Sequence, residues 1–317
     1  MYYLVIIFVF LFLIMLIMVL MHYLINRLVK AIRPKKAVVM PARVDHTAKV
    51  IHVNGFDLWY KEIGNPEGKA VIIIHGGPGL SSHYFANYLD FLEKDYRVIY
   101  YDQRGCGSSE FKSDCSLYTF DSLIEDLDVI VNDYIKEKQV ILMGHSFGAT
   151  VALKYALDHA EKIEQLILIS NGIIKSRVLS VISFLFQFYK GSFPPIEDPE
   201  ATNLWYQSRL VDSYRDTFYN PNNMDLIELG YPSYATMLSE LKSMDNFNFA
   251  KQLTGFDKET LIIHGVKEPD GYSKRDQIFL HKALKNSTMV QFNQSGHWSF
   301  IEEPDKFQRT ILNFLEK

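Results

Sequence analysis

Three regimes of hydrophobic patterning divide the chain. From residue 1 to 26 there is no charged side chain, and the run from Leu4 to Met21 is continuously apolar. About 20 helical residues, each rising ~1.5 Å, cross the ~30 Å hydrocarbon layer of a bilayer, whereas the apolar core of a signal peptide is usually about 7–15 residues. This stretch therefore predicts a transmembrane helix. From residue 47 onward the pattern changes to short apolar runs alternating with amphipathic ones. Residues 49–53 and 57–61, separated by Asn54-Gly55-Phe56, predict an opening hairpin. Residues 70–74, 97–101, 140–144, 165–170, 260–264 and 289–292 predict strands. Several of these are apolar without alternation, as expected for strands covered on both faces. Between them, helices are expected over 81–92, 120–134, the stretch after 146, and about 304–314. Strands that alternate with helices predict a parallel sheet with helices on both faces.

The third regime is an interruption. Between residues 173 and 259 the strand rhythm stops, aromatic residues crowd in (Phe184, Phe186, Trp205, Tyr206, Phe218), and Pro194-Pro195 and Asn220-Pro221 mark turns. This segment is expected to be a mostly helical cap over the C-terminal ends of the strands, where open α/β sheets bind ligands. The predicted organisation is then an anchor at 1–26, a linker at 27–46, a core built from 47–172 and 260–317, and the cap at 173–259.

Charge refines this picture. Arg27, Lys30, Arg33, Lys35 and Lys36 follow the apolar stretch and no Lys or Arg precedes it, which predicts a single-pass membrane protein with the domain after the linker in the cytoplasm. The same basic linker suits anionic lipid headgroups. Over the whole chain 22% of residues are charged and the net charge is -4, so no broad basic field points to nucleic acid. The two cysteines, Cys106 and Cys115, form no metal-ligand or CxxC pattern. No metal or organic cofactor is expected.

The candidate chemistry centres on Gly144-His145-Ser146-Phe147-Gly148. The pentapeptide follows a strand-like run and precedes helix-forming sequence, the context of a nucleophile elbow, in which a tight turn pushes a serine hydroxyl above the sheet. A serine needs a base to take its proton and an acid to orient that base. Of ten histidines, His297 lies in the loop between the last strand and the last helix, and the order Ser, acid, His requires the base there. The acid is expected just after the strand at 260–264. Both Glu268 and Asp270 are available there, with the Gly-x-x-acid-Pro register on Glu268 and Asp270 as the alternative. Backbone N–H groups of Gly77 and Phe147 are candidates for the oxyanion hole. In the supporting loop, His75, Gly76, Pro78 and Gly79 shape that hole, with His75 expected to hydrogen-bond the loop instead of acting as a base.

Taken together, His75-Gly76-Gly77-Pro78-Gly79, Asp102-Gln103-Arg104-Gly105-Cys106-Gly107-Ser108-Ser109, the Ser146 elbow, Gly265-x-x-Glu268-Pro269 and Gly296-His297 resemble the α/β-hydrolase superfamily. The first two resemble most closely its proline iminopeptidase branch. The resemblance spans about residue 47 to the C-terminus. It implies an α/β-hydrolase fold with a helical cap, and a serine aminopeptidase that removes an N-terminal residue, often proline, from short peptides. It also implies that cap carboxylates hold the substrate's free amine; Glu197, Glu200, Glu228 and Glu240 are available, though none matches a family motif. His145 departs from the residue that many of these peptidases carry in the elbow. The alternatives are an esterase or lipase-like acyl hydrolase, suggested by the anchor and the apolar segment 181–186, and a non-catalytic receptor on a hydrolase fold.

Overall fold

A computed structural model of the chain describes residues 45, 47–85, 87–171, 214–215, 217–227, 230, 232–244, 250–268 and 274–316, together with positions 10, 16, 18, 20 and 21. Eight strands form one sheet in the order β1-β2-β4-β3-β5-β6-β7-β8. β1 (Lys49–Val53) and β2 (Phe56–Gly64) make the expected hairpin, and β2 continues antiparallel to β4 (Arg97–Tyr101). From β4 outward every pairing is parallel, through β3 (Ala70–Ile74), β5 (Val140–His145), β6 (Ile163–Ile169), β7 (Glu259–Gly265) and β8 (Ser287–Phe292).

The central strands are apolar throughout because both of their faces are covered. In β3, Ala70, Ile72 and Ile74 pack into one core layer with Leu142 and Leu166, while Val71 and Ile73 pack into the other with Ile141 and Met143. Each such valine, leucine, isoleucine or methionine side chain, fully removed from water, contributes about 1.5–3 kcal/mol. On the first side lie α1 (Phe120–Val129) and α2 (Phe147–Asp158). Thr119 caps α1 in a reciprocal capping box with Ser122. On the other side, α5 (Ser299–Glu302) and α6 (Pro304–Leu315) close the chain, with Pro304 in the first turn where its missing N–H costs nothing. Between these come α3 (Tyr234–Ser243), in the inserted segment, and α4 (Lys274–Ala283).

Two helical expectations need correction. Residues 81–92 do not form one helix but two 3₁₀ turns, Ser82–Phe85 and Asp90–Leu92. Between them Asn87 takes a left-handed conformation at φ 68°, which a continuing helix does not permit. The helix expected over 120–134 is α-helical only to Val129; Ile130–Ile135 widens into a π-turn that ends at Lys136, also left-handed at φ 59°.

The expected span at 1–26 lies outside the described residues except for the five N-terminal positions, which are helical with exposed side chains. Among the described residues no helix is long and apolar enough to cross a membrane. Most of the linker and the cap stretch 172–213 also lie outside the described residues.

Two buried carboxylates show contrasting solutions. Asp126 on α1 receives the Arg104 guanidinium in a two-pronged ion pair, with Nε donating at 2.6 Å, and Asn54 adds a third bond at 2.9 Å. Both partners are almost fully buried. Glu240 on α3 is also fully buried, yet neither carboxylate oxygen makes an ordinary hydrogen bond among the described residues. Burial raises its carboxyl well above the usual range, against the pull of the Gly79 backbone and the Arg104 charge.

Asp126→Asn leaves the guanidinium buried opposite a neutral amide. The unfolding free energy is expected to fall by about 3–5 kcal/mol, read from the denaturant midpoint at unchanged slope. Glu240 has the opposite signature. Its folded-state pKa lies above the ordinary 4.5, so the folded chain keeps a proton that the unfolded chain releases, and stability is lost as the pH rises above 4.5. Glu240→Gln removes this titration. The variant is expected to gain on the wild type by ~1.4 kcal/mol per pH unit above that point until the folded-state pKa is reached; parallel stability profiles would contradict the assignment.

Candidate active site

The parallel strands bring their C-terminal ends to one edge of the sheet, and the candidate residues lie in the loops that leave it. β5 ends at His145, α2 begins at Phe147, and Ser146 alone makes the turn at φ 57° and ψ -123°, a strained conformation for a residue with a Cβ. Its N–H donates to the Ile169 carbonyl at 2.9 Å, and its own carbonyl accepts from Ala149 at 3.0 Å. The flanking glycines are there because backbones touch. A Cβ at Gly144 would lie 2.6 Å from the Ala149 Cα, and one at Gly148 would overlap the Ile74 and His75 carbonyl oxygens.

The loop after β3 closes on the same point. A Cβ at Gly76 would lie 2.8 Å from the Ser146 Cβ and 2.7 Å from the His145 carbonyl, so only a glycine lets this loop reach the serine. Gly77 follows Gly76 in that loop and Phe147 follows Ser146, so each expected oxyanion donor is one position along the chain from a residue of this contact. Phe147 lies in the first turn of α2, where N–H groups have no partner inside the helix. His75 is buried and its pKa is lowered by that burial. Its Nε2 accepts from the Gln103 N–H at 3.0 Å, so Nδ1 carries the hydrogen and donates to the Gly76 carbonyl at 2.9 Å. Both ring nitrogens are thus occupied in holding the loop.

The rest of the Asp102–Ser109 motif is structural support. Asp102 accepts from Ser82 through its N–H and hydroxyl, at 2.8 and 2.7 Å, and from the Ser108 N–H at 2.9 Å. Gly107 has φ 52°, and a Cβ there would run into the Asp102 carboxylate.

His297 and Glu268 meet across 29 residues of sequence, Nδ1 to Oε2 at 2.8 Å, with side chains only 5% and 1% exposed. A carboxylate can only accept, so Nδ1 bears the hydrogen, and in the neutral ring Nε2 is then the nitrogen that carries none and can take a proton. The other carboxylate oxygen accepts from the Ser170 hydroxyl at 2.5 Å and from the Gly265 N–H at 3.2 Å. His264 also approaches, but at 3.9 Å its Nδ1 is too far for a hydrogen bond, and burial lowers its pKa. Asp270 lies outside the described residues. His145, the chain neighbour of Ser146, places its ring 4.8 Å from that of His297, tilted by 52°, and contacts the His297 carbonyl through Nε2 at 2.9 Å.

Several participants carry little or no signal in the sequence. Ser170 ends the β6 run at φ 49°, a conformation no pattern announces. Thr217, within the inserted segment, accepts the His297 N–H at 2.8 Å through its carbonyl and the Trp298 indole N–H at 2.7 Å through its hydroxyl, so this segment reaches down to hold the base loop. Tyr84 carried only an aromatic signal. Of the four cap carboxylates, Glu197, Glu200 and Glu228 lie outside the described residues, and Glu240 has no exposed surface. Among the described residues no group of three His, Cys, Asp or Glu side chains has the arrangement of a metal site.

Comparison with known proteins agrees with this architecture. Residues 69–304 match the family described as alpha/beta hydrolase fold. A proline iminopeptidase of Saccharolobus solfataricus is 27% identical over 291 residues, covering 83% of this chain and 90% of that protein. The structure of a proline iminopeptidase-related protein of Thermus thermophilus superposes with a TM-score of 0.65 at 25% identity, over 85% of this chain and 96% of the other. That of an enol-lactonase of Burkholderia xenovorans superposes with a TM-score of 0.69 at 20% identity, over 85% and 100%. The matched stretch takes in the elbow, the glycine loop and the succession of parallel strands: the chain belongs to the α/β-hydrolase fold family.

Proposed function

We propose that the protein is a serine hydrolase acting through an acyl-enzyme on Ser146, and that its substrates are short peptides with a free N-terminal residue. The carrying observation is the buried His297–Glu268 contact beside the strained serine turn. In this reading the Ser146 hydroxyl attacks the scissile carbonyl while His297 Nε2 takes its proton. Glu268 stabilises the imidazolium, and the N–H groups of Gly77 and Phe147 receive the charge that develops on oxygen. The tetrahedral species collapses, the C–N bond breaks, and the leaving amine takes the proton from His297. Water, deprotonated by the same imidazole, then attacks the acyl-enzyme and frees the acid and the serine.

The likeness to proline iminopeptidases favours an aminoacyl group as the substrate's acyl part. The second reading is an acyl ester, suggested by the uncharged N-terminal stretch and the apolar segment 181–186 of the sequence. We also place this domain at a membrane, through the uncharged stretch 1–26 with its basic C-terminal flank on the cytoplasmic side, supported by the sequence and by the exposed apolar side chains of Phe10, Leu16 and Leu20. The protein is then expected to pellet with membranes through alkaline carbonate washing, and removal of residues 1–26 to release it.

A substrate panel decides between the two acyl classes. Prolyl amides with a free amine are expected to turn over faster than their N-acetylated forms; preference for p-nitrophenyl esters, with no effect of N-capping, would establish the esterase. A fluorophosphonate is expected to label the wild type and not Ser146→Ala, and absence of wild-type labelling would leave only the receptor reading. Glu268→Gln is expected to lower kcat by on the order of 10⁴, as loss of the correct tautomer does in serine proteases. Asp270→Asn is expected to be near wild type, and the reverse order would move the acid to Asp270.

A further inference from the structure

Tyr84 and His145 are not part of the reacting set, yet they occupy the space between its two halves. Both are buried, and their rings pack edge to face at 5.5 Å. His145 Nε2 lies 2.9 Å from the His297 carbonyl oxygen, and its Nδ1 lies 3.1 Å from the Tyr84 hydroxyl. That hydroxyl in turn accepts the N–H of Gly76 in the oxyanion loop.

The direction of each link follows from the groups available. A carbonyl only accepts, so His145 Nε2 carries a hydrogen and donates it. Burial, and the neighbouring His297, depress the His145 pKa and keep the ring neutral, so Nδ1 is bare and accepts from the Tyr84 O–H. The tyrosine oxygen then has a lone pair for the Gly76 N–H. The chain runs without a reversal from the backbone of the oxyanion loop, through the residue before the nucleophile, to the backbone of the base.

We infer that Tyr84 and His145 are positioning residues that hold the oxyanion loop and the base loop in one register. This rests on the serine-hydrolase reading above. The Gly76 N–H belongs to the peptide group before Gly76, and the Gly76 carbonyl to the one after it. Tyr84 holds the first, and His75 Nδ1 holds the second at 2.9 Å. In a trans peptide the carbonyl and the following N–H point in opposite directions. Fixing the Gly76 oxygen therefore aims the Gly77 N–H, the candidate oxyanion donor, away from His75. Gly76 is glycine because of its contact with Ser146, and its backbone has the widest freedom of any residue. The two bonds remove that freedom before substrate arrives. Neutrality matters as well: with ring centroids 4.8 Å apart, a charged His145 would oppose the imidazolium that forms on His297.

The test is kcat per active site, with sites counted by stoichiometric fluorophosphonate titration of the full-length protein. Tyr84→Phe removes only the hydroxyl. It is expected to lower kcat about 10- to 100-fold, the scale of a small misplacement of reacting groups, with KM within about threefold of wild type. His145→Phe, which cuts both links, is expected to lose at least as much, and His145→Gln, which keeps a donor for the His297 carbonyl, to recover part of it. The double variant Tyr84→Phe/His145→Phe is expected to be no worse than His145→Phe alone, since both act through one chain. A Tyr84→Phe kcat per titrated site within about twofold of wild type would overturn the inference, as would a loss that follows only the number of titratable sites, the mark of a merely structural residue. If His145→Phe does not fold, Tyr84→Phe and His145→Gln decide. Failure of the wild type itself to label at Ser146 would overturn the serine-hydrolase reading and this inference with it, whereas normal labelling with an unaffected Tyr84→Phe overturns this inference alone.

Discussion

Three stretches of backbone must meet at Ser146, and the rest of the structure is arranged around the closeness of that meeting. The end of β5, the first turn of α2 and the loop after β3 approach one another to distances that admit no side-chain carbon at Gly76, Gly144 or Gly148. The contact forces Ser146 into its positive-φ turn, and the surrounding sheet supplies the energy to hold it. β3 and β5 pair in parallel from Val71↔Ile141 to Ile74↔Gly144, and their side chains fill both core layers. A strained turn costs about 1–3 kcal/mol, the same order as burying a single isoleucine, so a sheet with many such residues sustains it readily.

Around that contact, polar groups are buried in pairs chosen to suit a low dielectric. Neutral imidazoles at His75 and His145 serve as two-ended connectors, one nitrogen donating and the other accepting. Charge is confined to groups with close partners, as in Arg104 with Asp126. Glu268 is encircled differently, by a hydroxyl, a backbone N–H and the imidazole it orients. Such preorganised donors are worth more inside the protein than in water because they do not reorganise when charge develops. Glu240 stands apart from this pattern, as a carboxyl that burial drives toward its neutral form instead of pairing.

The strands were legible because a strand covered on both faces must be apolar at every position. Residues 70–74 and 140–144 could be read as buried strands without any knowledge of their neighbours. The stretch 81–92 departs from the helix its pattern predicts for a related reason. Tyr84, Phe85, Leu89 and Leu92 recur at helical spacing, yet they are buried as fillers of one core layer by a chain that turns twice. Periodicity reports which side chains are inside; it does not report the left-handed Asn87 that breaks the helix. Ser146, His297 and Glu268 could each be nominated because the chemistry demands a residue type at a position in the chain order. Ser170, Thr217 and Tyr84 could not, since a serine, a threonine or a tyrosine takes part in supporting such a site only through the atoms it happens to reach.

By itself the amino-acid sequence determined the kinds of elements, their order, and the residue types from which a nucleophile, a base and an acid could be drawn. Those are properties of local periodicity and local chemistry, and they survive without coordinates. Only the tertiary structure decided who touches whom: the Ser170 hydroxyl on a carboxylate 98 residues away, and the His145 ring on a carbonyl 152 residues away. It also decided which nitrogen of His75, His145 and His297 carries the hydrogen. A hydrogen bond depends on a few tenths of an ångström, and that distance is set by how whole layers pack, which no window of sequence contains.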